Sequence, residues 1–125
     1  MKDVIIITII IALIIISNFL IENYLNKTSQ DLVKELEEIK ELIKNNNEEA
    51  KKKIDNFEEE WKKINPVWAT IVMHQELDNI YQALIKVKSY AENDEITDAL
   101  QEIETAIFFA NHVRDRERVC LKNIF

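Results

Sequence analysis

Residues 4 to 21 read VIIITIIIALIIISNFLI, an apolar stretch without a charge, with Thr8, Ser17 and Asn18 as its only polar members. Eighteen residues at ~1.5 Å each reach about 27 Å as a helix, close to the ~30 Å of a bilayer's hydrocarbon core. A helix in the core of a soluble protein would keep a polar face, and this stretch has none. The expectation is a transmembrane helix over residues 4–21. A cleaved signal peptide is the competing reading. The stretch is longer than the ~7 to 15 residues of a usual apolar signal core, and Ser17-Asn18-Phe19-Leu20-Ile21-Glu22 offers no small-residue cleavage site, so the sequence reads as an uncleaved signal anchor.

Orientation is less sharply written. Lys2 and the terminal amine stand against Lys27, Lys34 and Lys40 on the other side, which leaves the charge rule undecided. The usual behaviour of a short-tailed signal anchor places the body outside the cytoplasm. The expected location is therefore the cell membrane, single-pass, with an extracytoplasmic body.

The chain divides into an anchor, residues 1–22, and a body, residues 23–125, large enough for one domain with its own core. Glycine is absent and proline occurs once, so backbone positions of positive φ fall to Asn, and long helices are favoured over β-structure. The net charge of −7 belongs to the body, because Lys2 cancels Asp3. Such a surface lacks the basic face that phosphate backbones require, so nucleic acid is not an expected partner. Cys120 is the lone cysteine and can form no internal disulfide; a small hydrophobe is its expected role.

Apolar residues recur in the body at alternating spacings of four and three. Thr28, Ser29 and Asp31 offer N-cap chemistry for a new helix, whose stripe is Leu32, Leu36, Ile39 and Ile43. Asn45-Asn46-Asn47 reads as a turn, and Ala50, Ile54, Phe57, Trp61 and Ile64 form the next stripe. Pro66 either starts a helix with Asn65 as its cap or kinks a long one. Met73, Leu77, Ile80, Leu84, Val87 and Ala91 follow, a turn falls at Asn93-Asp94, and Ile96, Leu100, Ile103, Ile107 and Ala110 close the series. The fold class is all-α: an N-terminal transmembrane helix, then a small antiparallel bundle of about four amphipathic helices.

The run from Trp61 to Trp68 (WKKINPVW), the run from His74 to Ile80 (HQELDNI) and the ending from Leu121 to Phe125 (LKNIF) resemble the bacterial family known as domain of unknown function 4363. The resemblance spans the whole chain, anchor included. It implies a small single-pass protein of Gram-positive, often spore-forming bacteria, without an assigned activity. It also implies a gene neighbour encoding a multi-spanning membrane protein, and hence a membrane partner.

His74 and Asp78 stand four apart with Glu76 nearby, the one candidate polar site. Their spacing suits half of a divalent-metal site or a pH-responsive pair, but a histidine at the edge of the core explains it as well, and no metal or other cofactor is expected. Trp61 and Trp68 are candidate partner contacts or simply core. Arg114, Arg116 and Arg118 suit a helix C-terminus, anionic headgroups or an acidic loop of a partner. Leu121, Ile124 and Phe125 form an apolar end that packs back on the bundle or docks elsewhere. No nucleophile sits beside a base and no glycine loop could cradle phosphate, so the chain does not read as an enzyme. The expected role is a membrane-anchored interaction or accessory protein that presents its bundle to an integral membrane partner. A small-ligand, metal or pH sensor using His74, Asp78 and the tryptophans is the alternative, and a homo-oligomer built on the Leu32–Ile43 stripe a third.

Overall fold

The computed structural model describes residues 1–46 and 48–124, with side chains through Asp115. Among the described residues there are four helices, α1 Lys2–Lys44, α2 Glu49–Trp68, α3 His74–Glu92 and α4 Ile96–Ile124, and no strand. The order of packing is cyclic: α1 lies against α2 and α4, and α3 against α2 and α4. The bundle is antiparallel because each connection is short.

The expected break between anchor and body is absent, since α1 runs through both for 43 residues. The segment from Asn23 to Asp31 contains neither Gly nor Pro, and polarity alone does not stop a helix. The hydroxyls expected to cap a new helix bond back along the existing one instead. Thr28 Oγ1 donates to the Tyr24 carbonyl at 2.5 Å and Ser29 Oγ to the Asn26 carbonyl at 3.1 Å. Within the apolar stretch, Thr8 and Ser17 do the same, donating to Val4 and Leu13 at 2.8 Å each. These hydroxyls therefore need no solvent. No residue of the most apolar window of α1 is buried, and α1 is the one helix among the described residues long and apolar enough to cross a membrane.

The remainder of α1 buries Leu25, Ser29, Leu32, Leu36, Ile39 and Ile43, one turn-by-turn stripe that begins earlier than the sequence spacing indicated. Opposite it lie Ile54, Phe57 and Trp61 of α2, Leu77, Ile80, Leu84 and Val87 of α3, and Ala99, Ile103, Ala106 and Val113 of α4, all in one core. The small residues of α4 let its backbone approach its neighbours closely. Five members of the expected stripes are not fully buried, Ala91, Ile96 and Leu100 being partly buried at the edge of the core. Met73 is exposed, because it precedes α3 as its extended N-terminal flank, and Ile64 is only partly buried.

Pro66 does not start a helix with Asn65 as its cap; it lies inside one. It sits in the last turn of α2, which continues to Trp68, and the chain then closes through tight turns rather than opening a helix. A proline this near the C-terminus removes one N–H donor where the helix is about to end anyway. The turns at the far end use positive φ without glycine: Asn46 at 50° and Asp94 at 57°. Asn and Asp tolerate this region better than other residues bearing a Cβ.

Ion pairs at the surface join neighbouring helices and mark their register. Lys53 Nζ donates to Glu38 at 2.8 Å between α2 and α1. Lys88 of α3 meets Asp55 and Glu58 of α2 at 3.2 and 3.0 Å, and Lys40 of α1 meets Glu104 of α4. Hydrogen bonds to these acids hold all three lysines above their ordinary pKa, and the bond from Lys53 holds Glu38 below its own.

Candidate functional site

The polar trio at the start of α3 does not converge. Two residues along a helix is a rotation of about 200°, so Glu76 faces opposite to His74 and Asp78. Glu76 is buried at 6% exposure, while His74 and Asp78 are exposed. Asp78 lines a shallow groove with Trp61, Lys62, Asn65, Leu77 and Tyr81, but His74 is not in its wall. Among the described residues no three His, Cys, Asp or Glu side chains are grouped to hold a metal ion.

Trp61 and Trp68, read as candidate partner contacts or simply core, are core, at 2% and 0% exposure. Their rings meet edge to face at 5.8 Å and 79°, and they fill the end of the bundle nearest the apolar half of α1. A partner could reach neither without unpacking the core. The Trp68 Nε1–H finds no hydrogen-bond acceptor, an uncompensated polar group in an apolar setting. Arg114 is half-buried on α4, and its Nε lies 3.6 Å from the Asp115 carboxylate. The side chains of Arg116, Arg118, Cys120, Leu121 and Ile124, and all of Phe125, lie outside the described residues.

Sequence spacing missed two features. The first is Phe108, which points away from the core at 63% exposure and stacks on His112 at 5.8 Å and 11°, with Phe109 edge-on beside it. Two adjacent phenylalanines off the four-three stripe of α4, Phe108 and Phe109, were the available signal. Tyr81 and Ile85 are also exposed, on the side of α3 that faces α2.

The second is a carboxyl pair in the groove between α1 and α2. Glu35 hydrogen-bonds Glu60 there, beside Glu38, Lys53, Asn56 and Phe57. Burial raises the Glu35 pKa to about 7, and the bond to Glu60 and the charges of Glu60, Glu38 and Asp31 add to the rise. The side chains come from two separate stripes, so only the α1–α2 register brings them together.

The arrangement offers an acidic body with exposed apolar side chains, open grooves between its helices, and a long apolar helix at one end. The family model described as Domain of unknown function (DUF4363) matches residues 19–124. The match takes in the body up to residue 124 and the last residues of the apolar stretch, and residues 1–18 precede it, so the resemblance is narrower than the whole chain. No curated protein and no solved structure matches the sequence.

Proposed function

The chain belongs to the DUF4363 family, and on that footing we propose that it is a single-pass, membrane-anchored accessory protein whose helical bundle is presented to an integral membrane partner. The observation that carries this reading is the continuity of α1. One helix is apolar and uncovered along its first half and forms a quarter of the bundle core along its second. A flexible tether would let the body wander, whereas a continuous helix fixes its distance and angle to the bilayer. That geometry suits a protein that must meet a partner held in the same membrane.

The body is placed outside the cytoplasm, following the behaviour of short-tailed anchors. A multi-spanning membrane protein is the proposed partner class, and Phe108 with its stacked His112 is the contact offered on the bundle's side. The acidic surface and open grooves favour a binding role over a catalytic one. The test is site-specific photo-crosslinking in native membranes from Phe108 and, as a control, from exposed Lys52. A discrete membrane-protein adduct from Phe108 and none from Lys52 is expected. Equal adducts at both, or a monomer alone at both and on co-purification from mild detergent, would refute the proposal.

A further inference from the structure

We propose that the connection between α2 and α3 is a second membrane contact, resting on the headgroup layer of the bilayer that α1 spans; this rests on the anchor reading above. From Asn65 to Met73 the sequence is NPVWATIVM, without a charge. Its height above the bilayer follows from the ion-pair register. Lys53 is level with Glu38. Fifteen residues further along α2 stands Trp68, and fifteen residues back along the antiparallel α1 stands Asn23, two positions past the end of the apolar stretch. The loop that follows Trp68 is therefore level with Ile21 and Glu22.

Packing shows independently that no gap separates the body from the apolar stretch. Ile21, the last residue of that stretch, packs against the bundle core, as do Ala69 and Ile71 of the loop. The bundle ends where the anchor begins. A loop at this height must meet lipid headgroups, and its large exposed side chains are apolar, Val67 at 47% and Met73 at 54%, with Pro66 before them and the small Thr70 between them also exposed. Tyr24, exposed on α1 at the same level, has the amphipathic ring that favours this layer.

The backbone of the loop is also suited to partial loss of water. The N–H groups of Ala69, Thr70, Ile71 and Val72 donate to Asn65, Val67, Trp68 and Trp68 at 2.7 to 3.2 Å, and the Thr70 hydroxyl donates to the Val67 carbonyl at 2.7 Å. These donors, which a dehydrated layer would penalise if left unpaired, are already satisfied within the turn. Pro66, just before it, has no N–H to satisfy.

The experiment uses the full chain with Cys120→Ser, reconstituted alone in phosphatidylcholine–phosphatidylglycerol vesicles. A single environment-sensitive fluorophore is placed at Met73→Cys, Val67→Cys, Glu48→Cys or Ile10→Cys. Spin-labelled lipids carry the quencher either near the headgroup or deep in the acyl chain. Strong quenching by the shallow lipid at positions 67 and 73, severalfold above that at position 48 at the far end of the bundle, is expected. Quenching at 67 and 73 no greater than at 48, with the label at position 10 still quenched by the deep lipid, would overturn this contact and leave the anchor standing. A label at position 10 that no lipid quenches would overturn the anchor reading and this contact with it. Because the vesicles hold no other protein, a protein-docking loop gives the first of these refuting results.

Discussion

Replacing Glu35 by Gln should stabilise the bundle at pH 8 and do little at pH 4.5. The Glu35 carboxyl has a pKa of about 7 in the fold against an ordinary 4.5, chiefly because α1 and α2 bury it and then because Glu60 shares its proton. Each tenfold change in proton affinity is worth ~1.4 kcal/mol, so the full rise corresponds to about 3 kcal/mol. The side chain is only partly buried and water screens it, which leaves about 1 kcal/mol. The folded value lies above the unfolded one, so the folded chain holds this proton the more tightly. Its contribution is complete below pH 4.5 and is lost as pH rises through about 7. Gln stays neutral and can still donate to Glu60, so the variant escapes that loss. For a domain of this size ~1 kcal/mol is a shift of about 4 °C or more in Tm. The assay is helix melting by circular dichroism of the full chain in nanodiscs, wild type and Glu35→Gln, from pH 4.5 to 8. Parallel pH profiles, or a lower Tm for the variant at pH 8, would refute the shared-proton reasoning.

Trp68→Phe removes the indole N–H that has no acceptor while keeping most of the ring, so melting should show a change within about 1 kcal/mol, whereas Trp68→Ala should lose about 3–5 kcal/mol. Asp94→Gly relieves a positive φ of 57° and should raise stability by up to about 1 kcal/mol, while Gly placed at Asn93, where φ is −95°, should not. Lys88→Met should lower Tm slightly in dilute buffer and less in 1 M salt, because its pair with Asp55 is exposed and screened while its pair with Glu58 is part-buried.

Much of the architecture was legible because helix periodicity is a local property. Leu32, Leu36, Ile39 and Ile43 lie on one face of a helix whatever that helix packs against, and all four are buried. The turns at Asn46 and Asp94 were legible for a similar reason, since a chain without glycine has few residues that accept positive φ. The junction after Ile21 was misread because cap-forming residues are ambiguous. Thr28 and Ser29 cap a helix if the chain breaks and bond backwards if it does not, and the core stripe extending to Leu25 favours continuation. The trio at the start of α3 was grouped by proximity in sequence, although Glu76 is rotated to the opposite face.

By itself the sequence determined that one end is a bilayer-length apolar helix and that the rest is helical, acidic and built on four-three stripes. Those properties depend on side-chain transfer energies and on residues within a turn of one another. Only the tertiary structure decided that the apolar stretch and the first bundle helix are one rod, that both tryptophans are sealed inside, that Phe108 is not, that Glu35 meets Glu60, and that the loop after Trp68 sits at the height of Ile21. These depend on the register and rotation of neighbouring helices, which are set by contacts between residues far apart in the chain, and no local pattern encodes them.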